Sequence, residues 1–232
     1  KYVAPIELAP EIEARLRLHP AVFHAAYQPR WVNSLYFDTP DARGYAENVD
    51  GTGIHPGFIK IGVDKTALSE IDEKLVRAAA RTHLRTGLLI YSHTGFAVPA
   101  MEEIAILKEE GVHPSAWVWT HAQNEADNDQ HESAAREGTW IAFDGVGPGE
   151  QKLKRDLKHF AEMKKRGLLG NVHLSHDAGW YTPQQEQEFR PYDFIFKTFL
   201  GKLKEIGLSG EDIQKVTVVN PKTALTVGVR RV

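Results

Sequence analysis

Hydrophobic and polar positions follow two alternating patterns from residue 57 to the end of the chain. Short apolar runs rich in β-branched and aromatic residues alternate with longer stretches whose apolar residues recur at helical spacing. The short runs, which resemble strands buried on both faces, are 57–63, 88–94, 117–121, 139–144 and 171–177. The helical stretches are 69–85, 99–110, 128–137, 151–166 and a last one at about 191–206, followed by a short tail. This alternation predicts an α/β fold with a parallel sheet.

The number of βα units limits the architecture. An eight-stranded βα barrel takes about 250 residues, or roughly 30 per unit. The five units use the chain from residue 57 onward, and the 56 residues before them are too few for three more. A complete barrel therefore does not fit, and about five βα units form at most a partial (β/α)8 TIM-type barrel.

The first 50 residues have a different pattern. Residues 10–18 and 21–27 have helical spacing, and residues 31–39 resemble a strand, but no βα repeat is present. The change of pattern near residue 51 predicts a small α+β segment over residues 1–50 and a second domain over residues 51–232.

Composition and charge exclude several classes of protein. The 232 residues are 42% hydrophobic and carry a net charge of −3 without a basic run, which argues against nucleic-acid binding. No apolar stretch has the roughly 18–20 residues that span a bilayer, so we expect no membrane segment. No secretory signal is visible after Lys1, which favours a cytoplasmic location. There is no cysteine, so any transition-metal site must use imidazole and oxygen ligands.

Four polar residues lie in the C-terminal half, or at the end, of a predicted strand: Lys60, His93, His121 and Asp177. In βα folds the C-terminal ends of the strands meet at one rim, where active sites are built. Two imidazoles and a carboxylate suit zinc, iron or manganese. A lysine joins such a site only after it loses a proton and captures carbon dioxide as a carbamate. A single strand histidine is more often a hydrogen-bonded structural residue, but four such placements together favour a metal site.

Three further residues have two possible roles each. Asp144 ends the fourth predicted strand, where it either supports a site residue or caps a helix. Trp180 and Tyr181 follow Asp177 and either line a substrate pocket or cover the rim of the barrel. Dinucleotide, P-loop and Gly-x-Ser-x-Gly motifs are absent from the sequence.

Several motifs in the same order resemble the phosphotriesterase-like branch of the amidohydrolase superfamily, from about residue 51 to the C-terminus. They are GFIKIGVD, AAARTHLRTGLLIYSHTG, EEIAILKEEGVHPS, WTHAQNEAD, LSHDAGWY and TVVNPKTAL. The resemblance implies a (β/α)8 metal-dependent hydrolase of esters, lactones or phosphoesters with two divalent metals. It implies that Lys60 is the carboxylated bridging lysine, that His93 and His121 bind one metal, and that Asp177 binds the other and accepts a proton during catalysis.

The sequence departs from that family at two places. No His-x-His motif is present, although the family uses one to complete a metal site. The proton-relay Asp and His of organophosphate hydrolases correspond to Asn124 and Gly145. We therefore expect at most one tightly bound metal, with zinc as the expected ion, and an impaired activity. The expected substrate is a small ester-type molecule contacted by Asn124, Trp180 and Tyr181.

The N-terminal segment resembles a different family. The stretches KYVAPIELAPEI, RLHPAVFHAAY and RWVNSLYFDTPDARGYAENVDG are similar to the start of a VTC-type polyphosphate polymerase domain. This resemblance implies a chimeric or truncated chain, with a polyphosphate-binding fragment or an inactive fragment as alternative functions. The open edges of a partial barrel predict self-association.

Overall fold

A parallel five-stranded sheet forms the centre of the computed structural model, which describes residues 57–178 and 192–232. The strands are β1 Phe58–Gly62, β2 Leu89–His93, β3 Trp117–Thr120, β4 Trp140–Phe143 and β5 Val172–Leu174. Each strand pairs in parallel with the next one along the chain. A sheet that advances by one strand with each βα unit is the wall of a βα barrel. The predicted α/β class and partial barrel are confirmed.

Four helices connect these strands. They are α1 Glu70–Thr86, α2 Ala97–Glu109, α3 Asn128–Arg136 and α4 Glu150–Lys165. Local sequence sets the ends of α1: the Ser69 side chain accepts a hydrogen bond from the Asp72 backbone, and Asp72 accepts one from the Ser69 backbone. The helix ends at Gly87, whose φ of 73° suits glycine.

The C-terminal region contains more helix than its sequence pattern predicts. A π-helical turn at Ile195–Phe199 leads into α5 Leu200–Glu205, and α6 Gly210–Gln214, a second π-helical turn Lys215–Val219 and α7 Asn220–Leu225 follow. The prediction of a short tail after residue 206 is therefore wrong. Ser209 and Asp212 form a capping box that starts a new helix, and Pro221 lies in the first turn of α7, where its missing N–H is tolerated.

The two faces of the sheet have different partners. One face packs against α1–α4 in a large core that includes Ile59, Ile90 and Trp119. The opposite face has a smaller cluster, in which Leu89, Val118, Trp140 and Ala142 contact Ala224 of α7. Lys60 alternates with the core residues Ile59 and Ile61, so it lies on this second face.

The remaining predictions about the chain have different outcomes. Residues 1–56 lie outside the described residues, so the N-terminal α+β segment, its resemblance and the boundary at residue 51 stay predictions. No helix in the described ranges is long and apolar enough to span a bilayer.

Candidate functional site

Three of the predicted ligand residues lie on neighbouring strands or directly after one. Lys60 is the third residue of β1, His93 is the last residue of β2, and His121 directly follows β3. His121 adopts a left-handed backbone with φ of 62°, which is uncommon for a residue with a side chain. The chain then enters a 3-10 turn at Ala122–Asn124.

His93 and His121 contact each other directly. Nε2 of His121 lies 2.8 Å from Nδ1 of His93, and the two rings meet edge to face. The carboxylate of Asp144 accepts hydrogen bonds from His121 Nδ1 at 2.8 Å and from the His121 backbone N–H at 3.0 Å. Because a carboxylate only accepts, the proton of a neutral His121 ring is on Nδ1, and its Nε2 lone pair faces His93.

Burial keeps the His93 imidazole neutral. Burial lowers its pKa to about 4, and the nearby His121 and Lys60 act in the same direction. The His93 imidazole is therefore in the unprotonated state that a metal ligand requires at neutral pH.

Asp144 supports the site and does not cap a helix. Gln123 donates from Nε2 to Asp144 Oδ1 at 3.0 Å, and the Asp144 backbone N–H donates to Gln123 Oε1 at 3.1 Å. The N-cap residue of the following helix, α4, is Gly149. Between the two roles considered for Asp144, the structure selects support of His121.

Gln123 is a site residue that the sequence pattern does not reveal. The only signal is its position two residues after His121, because a buried glutamine has no distinctive motif. Its importance depends on Asp144, which is distant in sequence and adjacent in space.

Lys60 lies close to several carboxylates. The residue as a whole is exposed, yet the protein around its ammonium group partly desolvates it and lowers its pKa. The charges of Asp144, Asp177 and Glu103 oppose this shift. A lowered pKa increases the fraction of free amine, which is the form that reacts with carbon dioxide.

The other predicted site residues are partly described. Asn124 is exposed, and its Nδ2 lies 3.4 Å from the position that a Cβ would take at Gly95. Asp177 follows β5 and has a positive φ of 46°. Trp180 and Tyr181 lie outside the described residues, so their roles stay predictions.

The donor set determines which metal site is possible. Within residues 57–178 and 192–232, no group of three or more histidine, aspartate or glutamate side chains is arranged to hold a metal. Two imidazole nitrogens nevertheless face each other, and Asp144 orients one of them, as carboxylates orient histidine ligands in metal sites. These residues fit a metal if the carbamate form of Lys60 completes the set.

Comparisons with known proteins agree on one family. The sequence model of the family described as "Phosphotriesterase family" matches residues 43–225 of this chain. The "Phosphotriesterase homology protein" of Escherichia coli is 29% identical over 181 residues, which cover 75% of this chain and 61% of that protein. The "Phospho-furanose lactonase" of Mycoplasmopsis synoviae is 30% identical over 189 residues, which cover 75% of this chain and 52% of that protein.

A solved structure gives the same result for the fold. The phosphotriesterase from Mycobacterium tuberculosis superposes with a TM-score of 0.74 at 26% identity, covering 81% of this chain and 61% of that one. The chain thus spans about half to three-fifths of the length of these relatives.

Proposed function

This chain belongs to the phosphotriesterase family. We propose that it is a metal-dependent hydrolase of small lactones, esters or phosphoesters. The observation that carries the proposal is the contact between His93 and His121, with Asp144 behind it, at the C-terminal end of a parallel sheet. This end of βα barrels is where their active sites are built.

The proposed ligands are few. His93, His121 and the carbamate of Lys60 would hold one divalent metal, with zinc as the expected ion. Such a metal supplies a Lewis acid that polarises the substrate and lowers the pKa of water. Because the sequence has no His-x-His motif, Asp177 and the shared carbamate are too few ligands for a second tight site.

The residues of the chain have separate proposed roles. Asp144 orients the His121 ring, and Asp177 accepts the proton that the attacking water loses. Asn124, Trp180 and Tyr181 contact the substrate. The similarity to a protein named phospho-furanose lactonase favours a lactone. Asn124 and Gly145, which replace an acid and a histidine of organophosphate hydrolases, argue against efficient phosphotriester hydrolysis.

Metal analysis tests the proposed site. We expect the purified chain, incubated with zinc and bicarbonate, to retain at most about one metal per molecule by elemental analysis. His93→Ala and His121→Ala should lose it, since each removes one of three ligands. His113→Ala is the matched control, because His113 lies outside the site and bonds to Ser115. Two metals per chain, or none, would contradict the proposal.

Kinetics tests the proposed reaction. We expect Asp177→Asn to abolish turnover of a γ-lactone or an aryl ester while metal content stays unchanged, because the amide keeps the shape but cannot accept the proton. Turnover of a p-nitrophenyl phosphotriester should be much slower than that of the lactone. Full activity of Asp177→Asn would show that the assigned proton acceptor is wrong.

A further inference from the structure

Gln123 and Asp144 form a closed pair of hydrogen bonds beside His121. Each residue both donates to and accepts from the other, at 3.0 and 3.1 Å. Gln123 is only 6% exposed, and Asp144 only 5%. The same oxygen of Asp144 that accepts from Gln123 also accepts from His121 Nδ1. The Gln123 amide therefore donates to the same Asp144 oxygen that orients the His121 ring.

The absence of a side chain at Gly145 leaves the room that the Gln123 amide occupies. A Cβ at position 145 would lie 2.6 Å from Gln123 Nε2 and 3.2 Å from its Cδ. Real Cβ atoms do not approach other atoms at 2.6 Å, so a side chain at position 145 would displace the amide. The buried glutamine and the glycine are thus complementary: the glutamine fills the space that the glycine leaves.

We propose that Gln123 is a positioning residue that holds the Asp144 carboxylate, so that His121 keeps its proton on Nδ1 and presents Nε2 to the metal. The ring orientation is a property of the metal-free protein, whereas the consequence for metal binding rests on the proposed function. Neither Gln123 nor Gly145 contacts substrate or metal in this scheme; both act through Asp144.

The physical effect of losing the amide follows from its bonds. Without Gln123 Nε2, Asp144 Oδ1 keeps only the His121 contact, and the Asp144 backbone N–H loses its acceptor. A buried N–H without an acceptor is unfavourable, so the loop rearranges to find a new one. The carboxylate then no longer fixes one tautomer of His121. Loss of residues that orient metal ligands typically weakens metal binding by about 10- to 100-fold.

Two variants remove the amide contact in different ways. Gln123→Leu removes its hydrogen-bonding groups, and Gly145→Ala pushes it away while leaving every hydrogen-bonding group in place. Gln151→Leu is the control, because Gln151 is an exposed glutamine on α4. Because the two variants disrupt the contact by different changes, a folding defect in one of them still leaves the other to test the role of Gln123.

Two measurements separate this inference from the proposed function. Nitrogen-15 NMR of the metal-free protein reports the tautomer of His121, and titration with Co²⁺ followed by its visible absorption reports metal binding. We expect wild type and Gln151→Leu to show the Nδ1–H tautomer. Gln123→Leu and Gly145→Ala should show mixed tautomers and bind Co²⁺ about tenfold more weakly.

The tautomer of His121 in the metal-free protein tests the positioning role of Gln123, independently of the result for Co²⁺ binding. A wild-type tautomer in both site variants overturns the positioning role of Gln123. Mixed tautomers in the variants support it, even if the wild-type protein binds no Co²⁺. In that last case the proposed function fails and the positioning role stands.

Discussion

Glu103 shows how a single buried group shapes the stability of this protein. Its carboxyl group is fully buried next to the strand ends, accepting from Thr94 Oγ1 at 2.6 Å and from Trp117 Nε1 at 3.2 Å. Burial raises its pKa to about 7, although these hydrogen bonds and Lys60 oppose the shift. Folding therefore favours the protonated carboxyl group.

This raised pKa predicts a pH-dependent stability. The native state holds the proton up to about pH 7, whereas the unfolded chain loses it near pH 4.5. The contribution of Glu103 is therefore complete below pH 4.5 and lost as the pH rises to about 7, with no further change above it. A shift of this size corresponds to about 3–4 kcal/mol, from roughly 1.4 kcal/mol per pKa unit.

Glu103→Gln should remove this pH dependence. The glutamine can accept from Trp117 and donate to Thr94 Oγ1, which still donates to the Ser92 carbonyl. We expect the two proteins to have similar free energies of unfolding at pH 4.5, and the variant to be more stable by about 3 kcal/mol at pH 8. Urea denaturation at both pH values measures this. A constant difference between the proteins would contradict the prediction.

The positions of the candidate ligands along the strands were predictable from sequence, whereas the residues that orient them through hydrogen bonds were not. Lys60 and His93 lie on neighbouring parallel strands and His121 directly follows the next one, so the βα repeat alone predicts that they share one end of the sheet. The role of Gln123 depends on the left-handed backbone of His121 and on a contact between loops far apart in sequence. Hydrophobic periodicity contains no information on either.

At the scale of elements, the C-terminal tail joins α7 to the N-terminal end of the sheet. The Arg230 backbone N–H donates to His83 Nε2 at 2.9 Å, and its guanidinium donates to the carbonyl of Ser115 at 2.6 Å. The same group donates to three carbonyls at the end of α7, those of Thr223, Ala224 and Thr226. Arg230 thus satisfies carbonyls that the helix leaves without partners.

Arg230→Met should therefore loosen this connection. Methionine keeps much of the apolar stem but donates no hydrogen bond, so we expect unfolding to require about 2 kcal/mol less free energy. Arg231→Met is the matched control, because the neighbouring arginine is exposed. Urea denaturation of both variants at one pH gives the comparison. Equal stabilities would show that the guanidinium contacts contribute nothing.

The sequence predicted elements to different degrees. All five strands and the first four helices agree with the predicted positions, with ends that differ by a few residues. The helices after residue 206 were missed, because their signals are a capping box and a proline, and the π-helical turn Lys215–Val219 disturbs the helical spacing.

At the scale of the whole molecule, the first strand of the described sheet exposes an apolar side chain. Phe58 of β1 is 49% exposed and contacts Tyr91 edge to face. Within the described ranges β1 pairs with β2 alone, and β5 with β4 alone. Strand edges of this kind are templates for pairing with another chain, and exposed apolar patches mark association surfaces.

These features predict that the isolated chain self-associates. We expect light scattering coupled to size-exclusion chromatography to show dimers or larger species that dissociate on dilution. Phe58→Lys should shift the chain toward monomer, because a charge in place of the exposed phenyl ring on the edge strand opposes both burial and pairing. Ile71→Lys is the control: Ile71 is 67% exposed on α1 and lies on no strand edge, so its replacement should leave association unchanged. A monodisperse wild-type monomer at every concentration would show that the open side of the sheet is already covered within one chain.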